Sequence, residues 1–447
     1  MIADADKRYT LVPEETIPSK AKSVKSLTSF AKRSAQLAAG FVCAIALAAG
    51  APTVAGAQVL TTDNVCGKTA DARSITAENL PDIDATNALV MGKDGTVYYG
   101  RGADEQVKIA SITKVMTAIL TVENCKMDEK VTVSNAAATV GNSTAGLLEG
   151  DKLTVEQALR GLMIPSGNDA AIVLAEYVGK KIDPKTKDAE ATFVKAMNER
   201  AKKLGCTGTL FENPHGLDFD EWAGDMHSTA HDVALMMQEA MKNDTIREVV
   251  ASEDSWIEVT GADGTDHSHS MDTHNYLLGQ DGNIGGKTGT TDDAGCCVCA
   301  VAERDGMTLI AVILGAPDSD TRFENAKSLL DYGFASYALA PVPEVEDQLS
   351  PVPVRHGTEP TATPVPDGPE GILVEKAHCN DLTCEVELLP EVEAPVEEGQ
   401  VLGSVKVLLD GEALTEYDII ASQAVPRMEF GTAFCRLLSA LCGADVE

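Results

Sequence analysis

Positive charge is scarce in this 447-residue sequence: 36 lysines and arginines stand against 69 aspartates and glutamates, a formal charge of −33. Gripping a phosphate backbone needs a basic face, so the balance argues against a nucleic-acid partner. Long apolar runs are lacking as well. The run Leu37 to Ala49 falls short of the roughly 20 residues that span a bilayer, which argues against an uncleaved membrane anchor there. There is no G-x-S-x-G elbow, which speaks against the common Ser-His-Asp hydrolase, and no internal repeat. The apolar fraction of 44% is that of an ordinary globular protein, and the length allows two domains.

What is present begins with an export pattern. Lys20, Lys22, Lys25, Lys32 and Arg33 form a positive region, Leu37 to Ala49 an apolar one, and Ala55-Gly56-Ala57 an A-x-A cleavage site. Residues 1–57 therefore read as a signal peptide, and the mature protein as exported to the extracytoplasmic face of the envelope. Of 11 cysteines, Cys43 leaves with the leader, and the remaining even number permits disulfides, with Cys379 and Cys384 close enough to bridge. Cys296, Cys297 and Cys299 read as bridged or buried thiols rather than as structural zinc ligands.

Periodicity gives the elements. Ala88 to Gly100 reads as a hairpin turning at Asp94-Gly95. Helices are expected from Ser111 through Val122, over Thr154 to Met163, over Ala170 to Val178 with Gly179 closing it, over Lys187 to Leu204, and over Ser228 to Asn243 with Ser228 as cap. Strands at Gly286 to Thr290, Cys297 to Ala302 and Met307 to Leu314 precede a helix from about Arg322 to Phe334. This is an α+β pattern in which strands from both ends of the segment meet in one sheet. Pro341 to Pro369 has the composition of a linker. Ile372 to Val425 reads as a small all-β domain, and Met428 to Leu441 places Phe430, Phe434, Leu437, Leu438 and Leu441 on one face of a helix.

Chemistry enters at Ser111 and Lys114, three residues apart and so on one helical face. Alone the pair carries little, because S-x-x-K recurs at Ser19/Lys22 and Ser29/Lys32. Downstream lie Ser166-Gly167-Asn168 and Lys287-Thr288-Gly289. In this order the three are the S-x-x-K, S-x-N and K-T-G signature of penicillin-interacting serine enzymes. With the flanks Val115-Met116-Thr117-Ala118, Asn213-Pro214-His215-Gly216-Leu217 and Thr290-Thr291, the chain resembles the low-molecular-weight serine-type D-alanyl-D-alanine carboxypeptidases of the penicillin-binding protein family. The resemblance runs from about Ala85 to Ala335 and continues more faintly through Glu398 to Gly403 and Leu409 to Gly411.

A serine is a poor nucleophile until a base takes its proton. Lys114 can be that base only when neutral, so burial or a nearby cation must lower a pKa that is ordinarily about 10.4. Lys287 supplies such a cation if the K-T-G strand lines the same cleft, and stays charged to hold a terminal carboxylate. The resemblance further implies that Ser166 relays a proton to the leaving D-alanine, that Asn168 positions the substrate amide, and that Thr288 helps bind the carboxylate. It also implies that the N–H groups of Ser111 and Thr290 form the oxyanion hole beside Gly289.

The fold it implies is a β-lactamase/transpeptidase-like catalytic domain, an antiparallel sheet with helices, over 58–340. A small β domain follows over 341–425, its first strands taking up much of the proline-rich stretch, and then a C-terminal amphipathic helix over 426–447 that is a candidate membrane anchor. Expected partners are peptidoglycan stem peptides ending in D-Ala-D-Ala, with β-lactams as acylating inhibitors; no cofactor is expected. A β-lactamase-like hydrolase, a transpeptidase and a non-catalytic wall-binding protein are the alternatives. His215 reads as structural. Asp266, His267, His269 and His274 read as a solvated polar loop, and no metal is expected.

Overall fold

The computed structural model describes residues 60, 62–369, 371–431 and 434, all within one compact unit that begins at Ala55. The expected signal peptide and most of the C-terminal helix lie outside the described residues. In chain order the larger, N-terminal part has strands β1 (Asn64–Val65), β2 (Lys68–Thr69), β3 (Asn87–Gly92), β4 (Val97–Arg101), β5 (Lys130–Thr132), β6 (Lys152–Thr154), β7 (Asp254–Thr260), β8 (Asp266–Asp272), β9 (Asn283–Thr291), β10 (Gly295–Arg304) and β11 (Met307–Ala316). Its helices are α1 (Lys114–Asn124), α2 (Asn135–Thr139), α3 (Val155–Met163), α4 (Asn168–Ile182), α5 (Ala189–Lys203), α6 (Ala230–Ala240), α7 (Asp244–Val250) and α8 (Ser319–Ser336).

The main sheet runs β2-β1-β4-β3-β11-β10-β9, every pair antiparallel, so strands from both ends of the segment do share one sheet. Its two faces follow from strand alternation. Leu89, Met91, Cys297, Cys299, Ile310 and Val312 point to the helical core, while Ala88, Val90, Cys296, Val298, Leu309 and Ala311 point to the layer made by α8. The cysteine cluster is thereby split across the sheet, and all cysteines among the described residues, Cys379 and Cys384 included, are free thiols.

Helix α1 is the axis of the helical layer. From Lys114 to Thr121 every residue is buried, so the helix is enclosed all round rather than on one face. Its polar members find partners: Thr117 Oγ1 donates to Pro214 O at 2.6 Å and Thr121 Oγ1 to Thr117 O at 2.8 Å. Burial of Ile112, Val115, Met116 and Ile119 contributes about 1.5–3 kcal/mol each.

Two residues expected to mark helix ends have other roles. Helix α4 runs on past Gly179 to Ile182. A Cβ at Gly179 would lie 1.9 Å from Ala189 O, so this glycine serves the packing of α5 rather than a helix end. The cap of α6 is Thr229, whose side chain accepts from the Asp232 N–H, not Ser228.

A second antiparallel sheet, β5-β6-β7-β8, stands apart from the main one. The proline-rich stretch is stranded: Tyr337–Pro341 pairs with Gly371–Glu375, and Pro364–Asp367 joins a four-stranded sheet with Glu412–Ala421, Val401–Leu409 and Leu382–Leu388. Asp410 and Gly411, at φ 52° and 81°, make the two-residue hairpin turn that this dipeptide favours. Among the described residues no helix is long and apolar enough to cross a membrane. At the C-terminal end Phe430 and Phe434 are exposed and stacked, with centroids 6.2 Å apart.

Candidate active site

Three segments converge at the N-terminal end of α1. Ser111 lies in a 3-10 turn, Ala110–Thr113, that leads into the helix. Ala110 takes φ 47° there and Ser166 takes φ 63°. Left-handed conformations in non-glycine residues cost of order 1–3 kcal/mol each and persist only where the surroundings enforce them. The surroundings are close. A Cβ at Gly216 would fall 2.0 Å from Ala110 O, and one at Gly289 would fall 2.8 Å from Ile109 O and 2.9 Å from Ser111 N. Strand β9 and the Asn213–Leu217 loop can press on the Ser111 backbone only because both positions are glycine.

Lys114 is wholly buried. Its Nζ lies 2.7 Å from Ser111 Oγ, 2.8 Å from Asn168 Oδ1 and 2.7 Å from His215 O. The last two are pure acceptors. A neutral amine has two N–H groups, which these acceptors consume, leaving its lone pair for the Ser111 hydroxyl. Burial first, then the charge of Lys287, hold the Lys114 pKa well below its usual value, while Asp169 opposes them.

Lys287 projects from β9 across the cleft and donates to Ser166 Oγ at 2.8 Å and to Thr288 O at 3.0 Å. Burial, and then the neighbouring Arg322, push its pKa down to about 7.

The corner that carries Ser166 and Asn168 is built from buried polar bonds. The Asp169 carboxylate accepts from the N–H groups of Ala145 at 2.9 Å, Leu147 at 3.0 Å and Ala170 at 2.8 Å. Asn168 Nδ2 donates to Gly141 O and Asn168 N–H to Ser143 O. A Cβ at Gly167 would meet Asp169 Oδ1 at 2.5 Å and Gly161 O at 2.7 Å, which explains the glycine between the two site residues.

The structure thus brings Ser111, Lys114, Ser166, Asn168, Lys287, Thr288, Gly289 and Thr290 into one cleft. The His215 imidazole stays outside the chemistry. It accepts from the Leu217 N–H through Nδ1, burial lowers its pKa to about 3, and only its carbonyl reaches Lys114.

Arg322, which the sequence presented only as the start of a helix, is buried behind β9. It donates to Thr290 Oγ1 at 2.9 Å and to Gly289 O at 3.3 Å. A signal existed in its position one turn into an amphipathic helix after a buried strand. His274 lies in the field of Lys287 and Arg322.

A family described as D-alanyl-D-alanine carboxypeptidase matches residues 74–318, and the penicillin-binding protein 5 C-terminal domain matches residues 341–427. D-alanyl-D-alanine carboxypeptidase DacF of Bacillus subtilis is 31% identical over 363 residues, covering 79% of this chain and 89% of the relative. The carboxypeptidase of Streptomyces sp. strain K15 is 34% identical over 293 residues, covering 63% and 98%. Among solved structures, the Streptomyces K15 DD-transpeptidase is 33% identical with a TM-score of 0.53, covering 57% of this chain and 98% of that one. DacD from Francisella tularensis is 26% identical with a TM-score of 0.57, covering 78% and 95%.

Proposed function

The chain belongs to the serine-type D-alanyl-D-alanine carboxypeptidase family, and we propose that it removes the terminal D-alanine of peptidoglycan stem peptides through an acyl intermediate on Ser111. The observation that carries the reading is the saturation of Lys114 Nζ by two acceptors, which leaves a lone pair 2.7 Å from Ser111 Oγ.

The substrate carboxylate binds Lys287 and Thr288, and Asn168 orients the amide. The scissile carbonyl sits between the N–H groups of Ser111 and Thr290, each such donor contributing roughly 3–4 kcal/mol to the transition state. Ser111 Oγ bonds to the carbonyl carbon as its proton passes to Lys114. The C–N bond then breaks, and the leaving amine receives the proton that Lys114 took, relayed through Ser166, whose Oγ Lys287 holds at 2.8 Å; Lys114 is thereby neutral again. Water attacks the ester and releases the shortened peptide. A β-lactam offers a carboxylate and a strained amide to the same groups and acylates the same serine.

In this reading residues 1–57 direct export, 58–340 form the catalytic domain, 341–425 the β domain, and 426–447 a helix that contacts the membrane from outside. An amine acceptor in place of water would make the reaction a transpeptidation, a second reading favoured by the likeness to the Streptomyces K15 DD-transpeptidase.

The test incubates the purified protein and Ser111→Ala with a peptide ending in D-Ala-D-Ala, with and without an amine acceptor, and follows released D-alanine. Release that needs Ser111 and no acceptor is expected; release unchanged in the variant would refute the assignment. Mapping a fluorescent penicillin adduct to a residue other than Ser111 would do the same.

A further inference from the structure

Away from the cleft, the second sheet places imidazoles where apolar side chains belong. Along β8 the inward positions are 267, 269 and 271; Met271 is buried among Ile257 and Val259 of β7, yet the other two positions are histidines. They meet Asp151, which directly precedes β6 and is 1% exposed. Asp151 Oδ2 accepts from the Leu148 N–H at 2.8 Å and lies 3.6 Å from His267 Nε2. One ring nitrogen from each histidine and a carboxylate oxygen all lie within 4.8 Å of one another.

Nε2 of His267 and Nε2 of His269 are both buried without a hydrogen-bond partner. His267 Nδ1 stands 3.4 Å from Thr265 O, the backbone-carbonyl contact that fixes a ligating histidine's tautomer and leaves Nε2 as a lone pair. A single proton between His267 and Asp151 would satisfy one of these nitrogens and leave the other orphaned; one cation satisfies all three donors.

We propose that Asp151, His267 and His269 form a divalent transition-metal site suited to Zn2+, with water in the remaining position. Two imidazoles and a carboxylate are a zinc donor set, and bonds of about 2.0–2.2 Å in a tetrahedron put donors about 3.3–3.6 Å apart, which the 3.6 Å between Asp151 Oδ2 and His267 Nε2 matches. The His267 side chain is 33% exposed, which gives the ion an entry path. The ring of His269 packs on Gly146, where a Cβ would lie 3.0 Å from Nδ1. That glycine belongs to the 141–151 loop, whose Gly141 and Ser143 carbonyls hold Asn168, so the ion would pin this loop to the β7–β8 hairpin. The inference stands apart from the carboxypeptidase reading and does not depend on it.

The test strips the purified protein with a chelator, removes the chelator, and titrates Zn2+ against a chromophoric competitor. Uptake of one equivalent is expected, with a higher Tm on saturation because the ion binds the folded state. His267→Gln and His269→Gln should each weaken binding at least about ten-fold, since even outer partners of a metal site matter that much. Co2+ should give visible d–d bands without near-ultraviolet thiolate charge transfer. The proposal is overturned by no stoichiometric uptake, by uptake unchanged in the double histidine variant, or by a thiolate band placing the metal on cysteines. Should a variant fail to fold, the Co2+ spectrum of the unaltered protein decides alone.

Discussion

The two ends of the cleft are each built around a buried lysine and a serine, and they differ in how many acceptors meet the nitrogen. Lys114 has three partners, two of them pure acceptors. Lys287 has two among the described residues, one hydroxyl and one carbonyl, so as an ammonium it keeps one N–H for a substrate carboxylate. The fields differ too: Lys114 feels the charge of Lys287, whereas Lys287 feels that of Arg322. In the proposed mechanism its neighbours thus make the same side chain a base at one end and an anion receptor at the other.

The sharpest way to break this comparison is to forbid deprotonation at one end only. Lys114→Arg keeps a cation that cannot lose its proton, and acylation by a fluorescent penicillin should fall about 10³-fold, the usual worth of a general base. Lys287→Arg keeps the charge its end needs and should retain acylation within about ten-fold. Equal losses in the two variants, with unchanged Tm, would erase the distinction.

Next in size is the backbone that joins the two ends. Gly289→Ala puts a methyl 2.8 Å from Ile109 O and 2.9 Å from Ser111 N. Strand β9 must then retreat from the serine, and a misplacement of that order costs about 100-fold in kcat/KM. Crystallography or the acylation rate checks it; an unchanged rate would mean that β9 need not touch the Ser111 backbone.

A smaller effect follows from pH. Lys287 must be protonated to hold a carboxylate, so its contribution is present below about 7 and lost above it. Lys114 must be neutral, so its contribution is present above its own depressed pKa and lost below it. Above about 7, kcat/KM should fall about ten-fold per pH unit on the alkaline side. Lys287→Arg should remove that alkaline limb; a limb that persists would belong to another group.

How much of this was legible follows the kind of group involved. The three motifs, the Asp94-Gly95 hairpin and the main helices announce themselves through side-chain identity and period. The carbonyl of His215, the carbonyls of Gly141 and Ser143, and the left-handed turns at Ala110 and Ser166 do not, because every residue carries the same backbone. Gly179 and Ser228 misled for the related reason that a glycine or a serine near a helix end is compatible with both a cap and a packing contact. His267 and His269 read as solvated loop because their partner, Asp151, is remote in sequence and only the second sheet brings it near.

Arg322 offers the finest division between the two ends, since it acts on Lys287 by charge and on Thr290 by geometry. Its Nη1 reaches Thr290 Oγ1 and Gly289 O, while its charge helps to depress Lys287. Arg322→Lys retains a cation but loses the fork, so kcat/KM should drop only about five-fold, one hydrogen bond's worth, with the alkaline limb unmoved. Arg322→Gln removes the charge, the Lys287 pKa rises, and the alkaline limb moves to higher pH. If both variants left the limb in place, the depression of Lys287 would rest on burial alone, and the difference between the two ends would reduce to the count of acceptors around each nitrogen.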